Sequence, residues 1–315
     1  MEVQGTSNYR AGSEKRLSKE TAAGREEKMM MAATAAYNRI PVMTGVTSVK
    51  NIVDQSTELN LTENMKKVTV TRNGGGMAVS GSGTVITEHF LDIYINEELA
   101  IQLVCTPQYI KEMVVGRLLS DGYIQDPDEI KMLYICEHAS RARVFLHGKA
   151  DLTETVSQEP TCCTGNQVFR KLFSEREPQM LEKAYWEPEW IFAMADEFAA
   201  GGKLHAKTKG THSCYLGVNG EVVFSCEDIG RHNALDKAIG YAALHRYDRS
   251  KCILYTTGRV PTDMVKKAIV AGIPVLVSKS SPTETAVELA CRYHLTLICN
   301  AWPDRYDIYC APEID

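Results

Sequence analysis

The sequence predicts an α/β protein. Strand and helix patterns alternate over residues 252–299, the Asn219-Gly220 pair marks a hairpin leading into a helix, and 44% of 315 residues are hydrophobic, enough for a substantial core.

Elements follow in order along the chain. Residues 1–60 are polar with little periodicity and read as a disordered tail, within which Met29-Met30-Met31 offers a later start. Residues 61–150 read as a smaller α+β portion. In it, the Gly-rich stretch 72–84 (Gly74, Gly75, Gly76, Gly81, Gly83) is expected as a loop or linker, without the Lys-Ser/Thr of a phosphate-binding P-loop. Leu91 to Ile95 alternates like a half-buried strand, Asn96-Glu97-Glu98 turns it, and Leu99 to Val104 returns. Thr106-Pro107 is expected to open a helix ending near Gly122. Short strands follow at 131–136 and 143–147.

Residues 151–200 read as a cysteine loop (155–165) and a helical connection, with helices near 167–175 and 187–199. Residues 201–315 read as the α/β domain. Cys214–Val218 and Val222–Cys226 pair around Asn219-Gly220, and a helix begins near Asn233 with Ala234, Leu235, Ala238, Ile239 and Ala242 on one face. Strands at 252–255, 273–277 and 296–299 alternate with helices at 262–271 and 283–293. These lengths fit a parallel sheet with right-handed crossovers.

That topology places three segments at the carboxyl ends of parallel strands, where open sheets bind ligands. They are Thr256-Thr257-Gly258-Arg259, Ser278 to Pro282, and Asn300-Ala301-Trp302-Pro303. Their hydroxyls, cations and Trp302 suit an anionic ligand with a stackable ring; caps and turns explain the same residue types.

Composition excludes several classes. With 35 Lys+Arg against 40 Asp+Glu the net charge is −5, so a basic nucleic-acid binder is disfavoured. The longest apolar stretch, Ile269 to Val277, is too short to span a bilayer, and no secretory signal is evident. Ten scattered cysteines suit a cytosolic protein with mostly reduced thiols, and Cys105, Cys252, Cys291 and Cys299 read as core thiols. His205, His212, Cys214, Cys226 and His232 match no compact zinc spacing, so no metal site is expected.

Two segments are dense in chemistry. Cys162-Cys163 follows Pro160 in the loop. A free thiol titrates near about 8.5, and Arg170 and Lys171 close by would increase the thiolate share. Cys226-Glu227-Asp228-Ile229-Gly230-Arg231-His232-Asn233 runs from a strand into a helix carrying Asp236 and Lys237. Its carboxylates can pair with Arg231 or accept from a base edge, and His232 can shuttle a proton. An N-cap with surface ion pairs is the simpler alternative.

From about Leu91 onward the chain resembles the formate dehydrogenase accessory sulfurtransferases, the FdhD-like proteins. The matching blocks are Val104-Cys105-Thr106-Pro107, the helix end from Gly116 to Gly122, the cysteine loop, and Glu227 to Lys237. They continue with Thr257-Gly258-Arg259 followed by Met264 and Lys267, Ala271-Gly272-Ile273-Pro274, and Ser281-Pro282-Thr283.

The resemblance implies a cytidine-deaminase-like three-layer α/β/α core without zinc chemistry. It also implies a sulfur carrier: a cysteine desulfurase loads a loop cysteine with persulfide, and the sulfur passes to the molybdenum bis-(molybdopterin guanine dinucleotide) cofactor before its insertion into formate dehydrogenase. By resemblance Cys162 carries the persulfide with Cys163 second. Glu227, Asp228, Arg231, His232, Thr257, Gly258, Arg259 and Asn300, Ala301, Trp302, Pro303, Asp304, Arg305 line the cofactor site. A cytoplasmic homodimer is implied. Two departures stand out. The family loop usually reads C-G-x-C-G, whereas this one reads Thr161-Cys162-Cys163-Thr164-Gly165. The C-terminal segment lacks the usual Gly-Phe start. A chaperone that delivers cofactor without moving sulfur is the alternative.

Overall fold

Alternate burial along Leu91, Ile93 and Ile95 sets the first strand pair in the core. The computed structural model describes residues 52–56, 64–74, 77–148, 157–158 and 178–312. Strands β4 (His89–Ile95) and β5 (Glu98–Cys105) form a hairpin whose turn residues Asn96 and Glu97 both have positive φ. Strands β6 (Ile130–Ile135) and β7 (Arg141–Leu146) pair antiparallel, and β7 runs parallel to β4. With β1 (Ile52–Asp54) beside β6 and β8 (Ser157–Gln158) beside β5, the order is β1-β6-β7-β4-β5-β8. Strands β2 (Met65–Gly74) and β3 (Met77–Ile86) form a separate two-stranded ribbon.

The second sheet has the order β10-β9-β11-β12-β13-β14. Strands β9 (His212–Val218) and β10 (Glu221–Asp228) meet at Asn219 and Gly220, with φ of 49° and 86°, the left-handed pair a tight hairpin needs. Strands β11 (Cys252–Thr256), β12 (Val275–Ser278) and β13 (Thr296–Trp302) are parallel, and β14 (Arg305–Cys310) returns antiparallel along β13.

Helices cover both faces of this sheet. Helices α4 (Arg231–Leu244), α5 (Thr262–Val270) and α6 (Glu284–Arg292) bury one face with Leu216, Leu254, Leu276 and Leu297. Helix α2 (Pro188–Ala200) covers the other, packing Ile191, Met194 and Ala195 on Tyr215, Tyr255, Val277 and Ile298. A short helix, α3 (Lys203–Thr208), leads into β9. Helix α1 (Ile110–Ser120) lies in the core shared with the first sheet and crosses α4 at Gly116 and Gly240. A Cβ on Gly116 would fall 1.8 Å from the Asp236 carbonyl oxygen, and one on Gly240 would fall 1.8 Å from that of Glu112.

Several expectations change. Ile52–Asp54, inside the stretch read as a tail, is a strand paired with Leu133–Ile135. The stretch 72–84 is not a linker but belongs to the β2–β3 ribbon. There Gly81 lies beneath the Arg72 guanidinium and Gly83 against Val70, so glycine makes room for cross-strand side chains. Helix α1 starts at Ile110, not Thr106, because Thr106 is bonded to residues far along the chain. The segment from Asn300 to Arg305 is no open loop: β13 runs on to Trp302, and only Pro303-Asp304 turns. Cys291 is exposed and disulfide-bonded to Cys310 rather than a core thiol, whereas Cys105, Cys252 and Cys299 are buried free thiols.

Candidate functional site

The carboxyl ends of β11, β12 and β13 are stitched into one rim. The Ser278 hydroxyl donates to the Gly258 carbonyl at 2.7 Å, and Ser280 donates to that of Thr257 at 3.1 Å. Val260 N–H donates to the Ser281 carbonyl, and Thr283 N–H donates to that of Val260. Ser281 Oγ then donates to Asn300 Oδ1 at 2.9 Å, joining the third segment. The three segments named from sequence therefore converge in space. Asn300 holds φ of 50°, a left-handed conformation that asparagine tolerates. Its amide donates to Asp307 Oδ2 at 2.7 Å and to the Tyr309 hydroxyl at 3.1 Å.

The amino end of α4 borders this rim. Arg231 is buried with its stem against Gly258, where a Cβ would stand 2.9 Å from Arg231 Cβ and Cδ. The glycine of Thr257-Gly258-Arg259 is thus fixed by the approach of Arg231. His232 Nε2 lies 2.8 Å from Asp263 Oδ2 on the first turn of α5. Burial raises the Asp263 carboxyl, but His232 and Arg231 outweigh it and hold the group below the usual range. Asp263 was not singled out from sequence; its place one turn beyond Thr257-Gly258-Arg259 was the available signal.

Thr257 accepts the Ser213 N–H on its hydroxyl. Arg259 is exposed, as are Pro303, Asp304 and Arg305, with Arg305 paired to Asp304 at 3.2 Å. Ala301 is buried, and its carbonyl accepts from the Tyr255 hydroxyl. Trp302 meets Phe198 edge-on, and the Lys279 ammonium lies 5.0 Å from the Phe198 ring centroid and 5.4 Å from that of Trp302.

Two predicted site residues face inward. Asp228 has no exposed surface. Its Oδ1 accepts from Gly230 N–H and the Asn233 amide, and its Oδ2 from Thr106 N–H, Thr106 Oγ1 and Lys237 Nζ, the last at 2.6 Å. Glu227 caps α3, accepting from the N–H groups of Leu204 and His205 and from the Thr211 hydroxyl. Neither carboxylate is presented to a base edge. Both serve as fold-internal acceptors, a use that long-range partners decide and local sequence does not show.

Cys162, Cys163 and the helix expected at 167–175 lie outside the described residues. Among the described residues no group of three His, Cys, Asp or Glu side chains is placed to hold a metal, and no helix is long and apolar enough to cross a membrane. A cleft of about 540 Å³ sits away from the rim, by the amino ends of β11 and β12, lined by Ile124, Leu181, Arg249, Gly272 and Pro274 among others.

A sheet with helices on both faces and a polar rim at its carboxyl edge places this chain among α/β proteins of the open-sheet class. The FdhD/NarQ family pattern matches residues 86–314, and the chain belongs to that family. It is 29% identical over 236 residues to the sulfur carrier protein FdhD of Listeria monocytogenes serotype 4b, covering 73% of this chain and 90% of the relative. With the sulfur carrier protein FdhD of Bacillus licheniformis the identity is 30% over 261 residues, 81% and 97% of the two chains. The fold is similar to the crystal structure of a proposed formate dehydrogenase accessory protein from Desulfotalea psychrophila. The TM-score is 0.63 at 25% identity, covering 79% of this chain and 97% of that one.

Proposed function

We propose that this protein is a sulfur carrier in the maturation of formate dehydrogenase. The observation that carries the reading is family membership over residues 86–314, together with relatives named as sulfur carriers. We take its second sheet, with helices on both faces, as a cytidine-deaminase-like core. Cys162 is the carrier thiol, assisted by Cys163. Its thiolate attacks the outer sulfur of a cysteine desulfurase persulfide, the desulfurase cysteine leaves as thiolate, and Cys162 holds the persulfide. The acceptor is the molybdenum of a bis-(molybdopterin guanine dinucleotide) cofactor, which is cargo and not a resident group. Its pyrophosphates suit the rim cations Arg231, Arg259, Lys279 and Arg305 and the amino end of α4. A purine stacking on Trp302 would share that ring with Lys279.

Desulfurase and cysteine should add sulfur mass to the Cys162 peptide, and Cys162→Ser should carry none. Full loading of that variant would sink the assignment. The Thr161-Cys162-Cys163-Thr164-Gly165 departure favours a second reading, a chaperone that delivers cofactor without sulfur. Absent sulfur mass on the wild-type protein, with guanine nucleotide still bound, would establish it. At the rim, Arg259→Ala should weaken guanosine diphosphate binding by about tenfold or more, the loss expected for one charged hydrogen bond. Unchanged affinity by calorimetry would remove Arg259 from the site.

A further inference from the structure

We propose that Cys291 and Cys310 form a redox-active pair, exchanging with small dithiols, whose state sets how firmly β14 holds the rim. Five of the six free cysteines among the described residues, Cys105, Cys214, Cys226, Cys252 and Cys299, are buried. Burial pushes the thiols of Cys226, Cys252 and Cys299 up to about 12, which suppresses the reactive thiolate. Cys136 is half-buried and bonds to Ser140 Oγ. Cys291, by contrast, is exposed in the last turn of α6, and Cys310, half-buried, ends β14; their Cα atoms are 5.6 Å apart. The disulfide is therefore open to attack from solvent. A disulfide of that kind, in a chain whose other described cysteines stay as thiols, fits a labile redox role better than a structural staple.

The bond pins the far end of an edge strand whose outer face is exposed. In β14, Arg305, Asp307, Ile308 and Tyr309 are exposed. Its pairing with β13 is broken by irregularities at Leu297/Ile298 and Cys299/Trp302. Tyr306, near the turn, packs with Trp186 and Phe192, whereas the far end is fixed by the disulfide. Asp307 and Tyr309 lie between these anchors and hold the Asn300 amide, which in turn accepts from Ser281. A continuous chain of contacts thus runs from the disulfide to the rim.

The exchange balances as follows. A thiolate of the external dithiol attacks Cys291 Sγ, the Cys291–Cys310 bond breaks, and Cys310 leaves as a thiolate that takes a proton. The second thiol of the dithiol then attacks the mixed disulfide and releases Cys291 as a thiolate, which is protonated. The dithiol leaves as its own disulfide, and the protein gains two thiols.

The test uses the full chain, titrated with dithiothreitol against its oxidised form. Iodoacetamide labelling is read by mass spectrometry, and amide exchange is read across residues 305–310. The experiment is run in wild type and in a Cys162→Ser/Cys163→Ser background, so that exchange with those two thiols does not register. Cys291 and Cys310 should become labelled together while the five buried thiols stay protected, with Cys136 marking ordinary accessibility. Exchange across 305–310 should quicken by about tenfold or more on reduction, as expected when a loop constraint on a local opening is lost. Cys310→Ser should show the fast exchange under oxidising conditions as well. Labelling of the pair only on global unfolding, or full reduction with no change across 305–310, would overturn the proposal.

Discussion

His212 opens β9 opposite Asp228, half-buried near Arg231, His205 and His232. Burial first, then electrostatic repulsion from Arg231, His205 and His232, lowers its pKa against the opposing pull of Asp228. An unfolded histidine titrates near about 6.5, so just below that pH the unfolded chain binds the extra proton and the folded chain does not. Stability therefore falls as pH drops through this window. His245, lowered chiefly by burial, adds a slope of the same sign. His212→Gln should flatten the fall in urea midpoint between about pH 7.5 and 5.5 without abolishing it. Equal falls in variant and wild type would show that His212 is not a source of that dependence. The same neighbourhood shows what local sequence conveys. The density of polar groups from Glu227 to Asn233 singled out the segment whose Arg231 and His232 border the rim. The two carboxylates could not be sorted in advance, since their partners Leu204, Thr211 and Thr106 lie 16 to 122 residues away.

At the scale of elements, α1 and α4 cross with their backbones in direct contact. Gly116 and Gly240 let the two backbones touch, and neither site has side-chain slack to absorb a methyl, since the atoms met are backbone carbonyls. Gly116→Ala should lower unfolding free energy by about 3 kcal/mol or more, at the upper end of overpacking costs, and Gly240→Ala by a similar amount. A denaturant midpoint within error of wild type would mean that the helices can slide apart without cost. Elements differ in how far sequence announces them. The β11 to β13 series was legible because apolar runs of strand length alternate with helical periods and turn residues. The β2–β3 ribbon was not, because its glycines read as flexibility. The β-branched alternation at Val68-Thr69-Val70-Thr71 was the signal against that reading. Strand β14 escaped notice although Pro303-Asp304 is a turn pair and Tyr306 and Ile308 alternate after it. Its exposed face leaves no strong apolar pattern.

Across the whole molecule, one buried knot ties strand β5 of the first sheet to the second sheet. Lys237 on α4 donates to Asp228 Oδ2, to the carbonyl and hydroxyl of Thr106 just after β5, and to the Glu227 carbonyl. Thr106 donates to Asp228 through both its N–H and its hydroxyl. Two sequence blocks that look like separate motifs are therefore halves of one hydrogen-bonded unit. A second buried set lies beside it: Lys267 on α5 bonds Asp236 at 2.8 Å, Asp121 at 2.9 Å and Ser120 at 2.8 Å, with Arg117 3.6 Å from Asp236. Each set pairs its cations with carboxylates, so removing one member strands a charge in the interior. Lys237→Met should lower stability by about 3–5 kcal/mol, the usual cost of breaking a buried pair. Adding Asp228→Asn to that variant removes the stranded charge and should recover part of the loss, because residues in contact do not act additively. If urea unfolding instead gives a double variant as unstable as the sum of the two singles, Lys237 and Asp228 are not coupled. The junction between the sheets would then rest on the α1–α4 crossing and the Lys267 set.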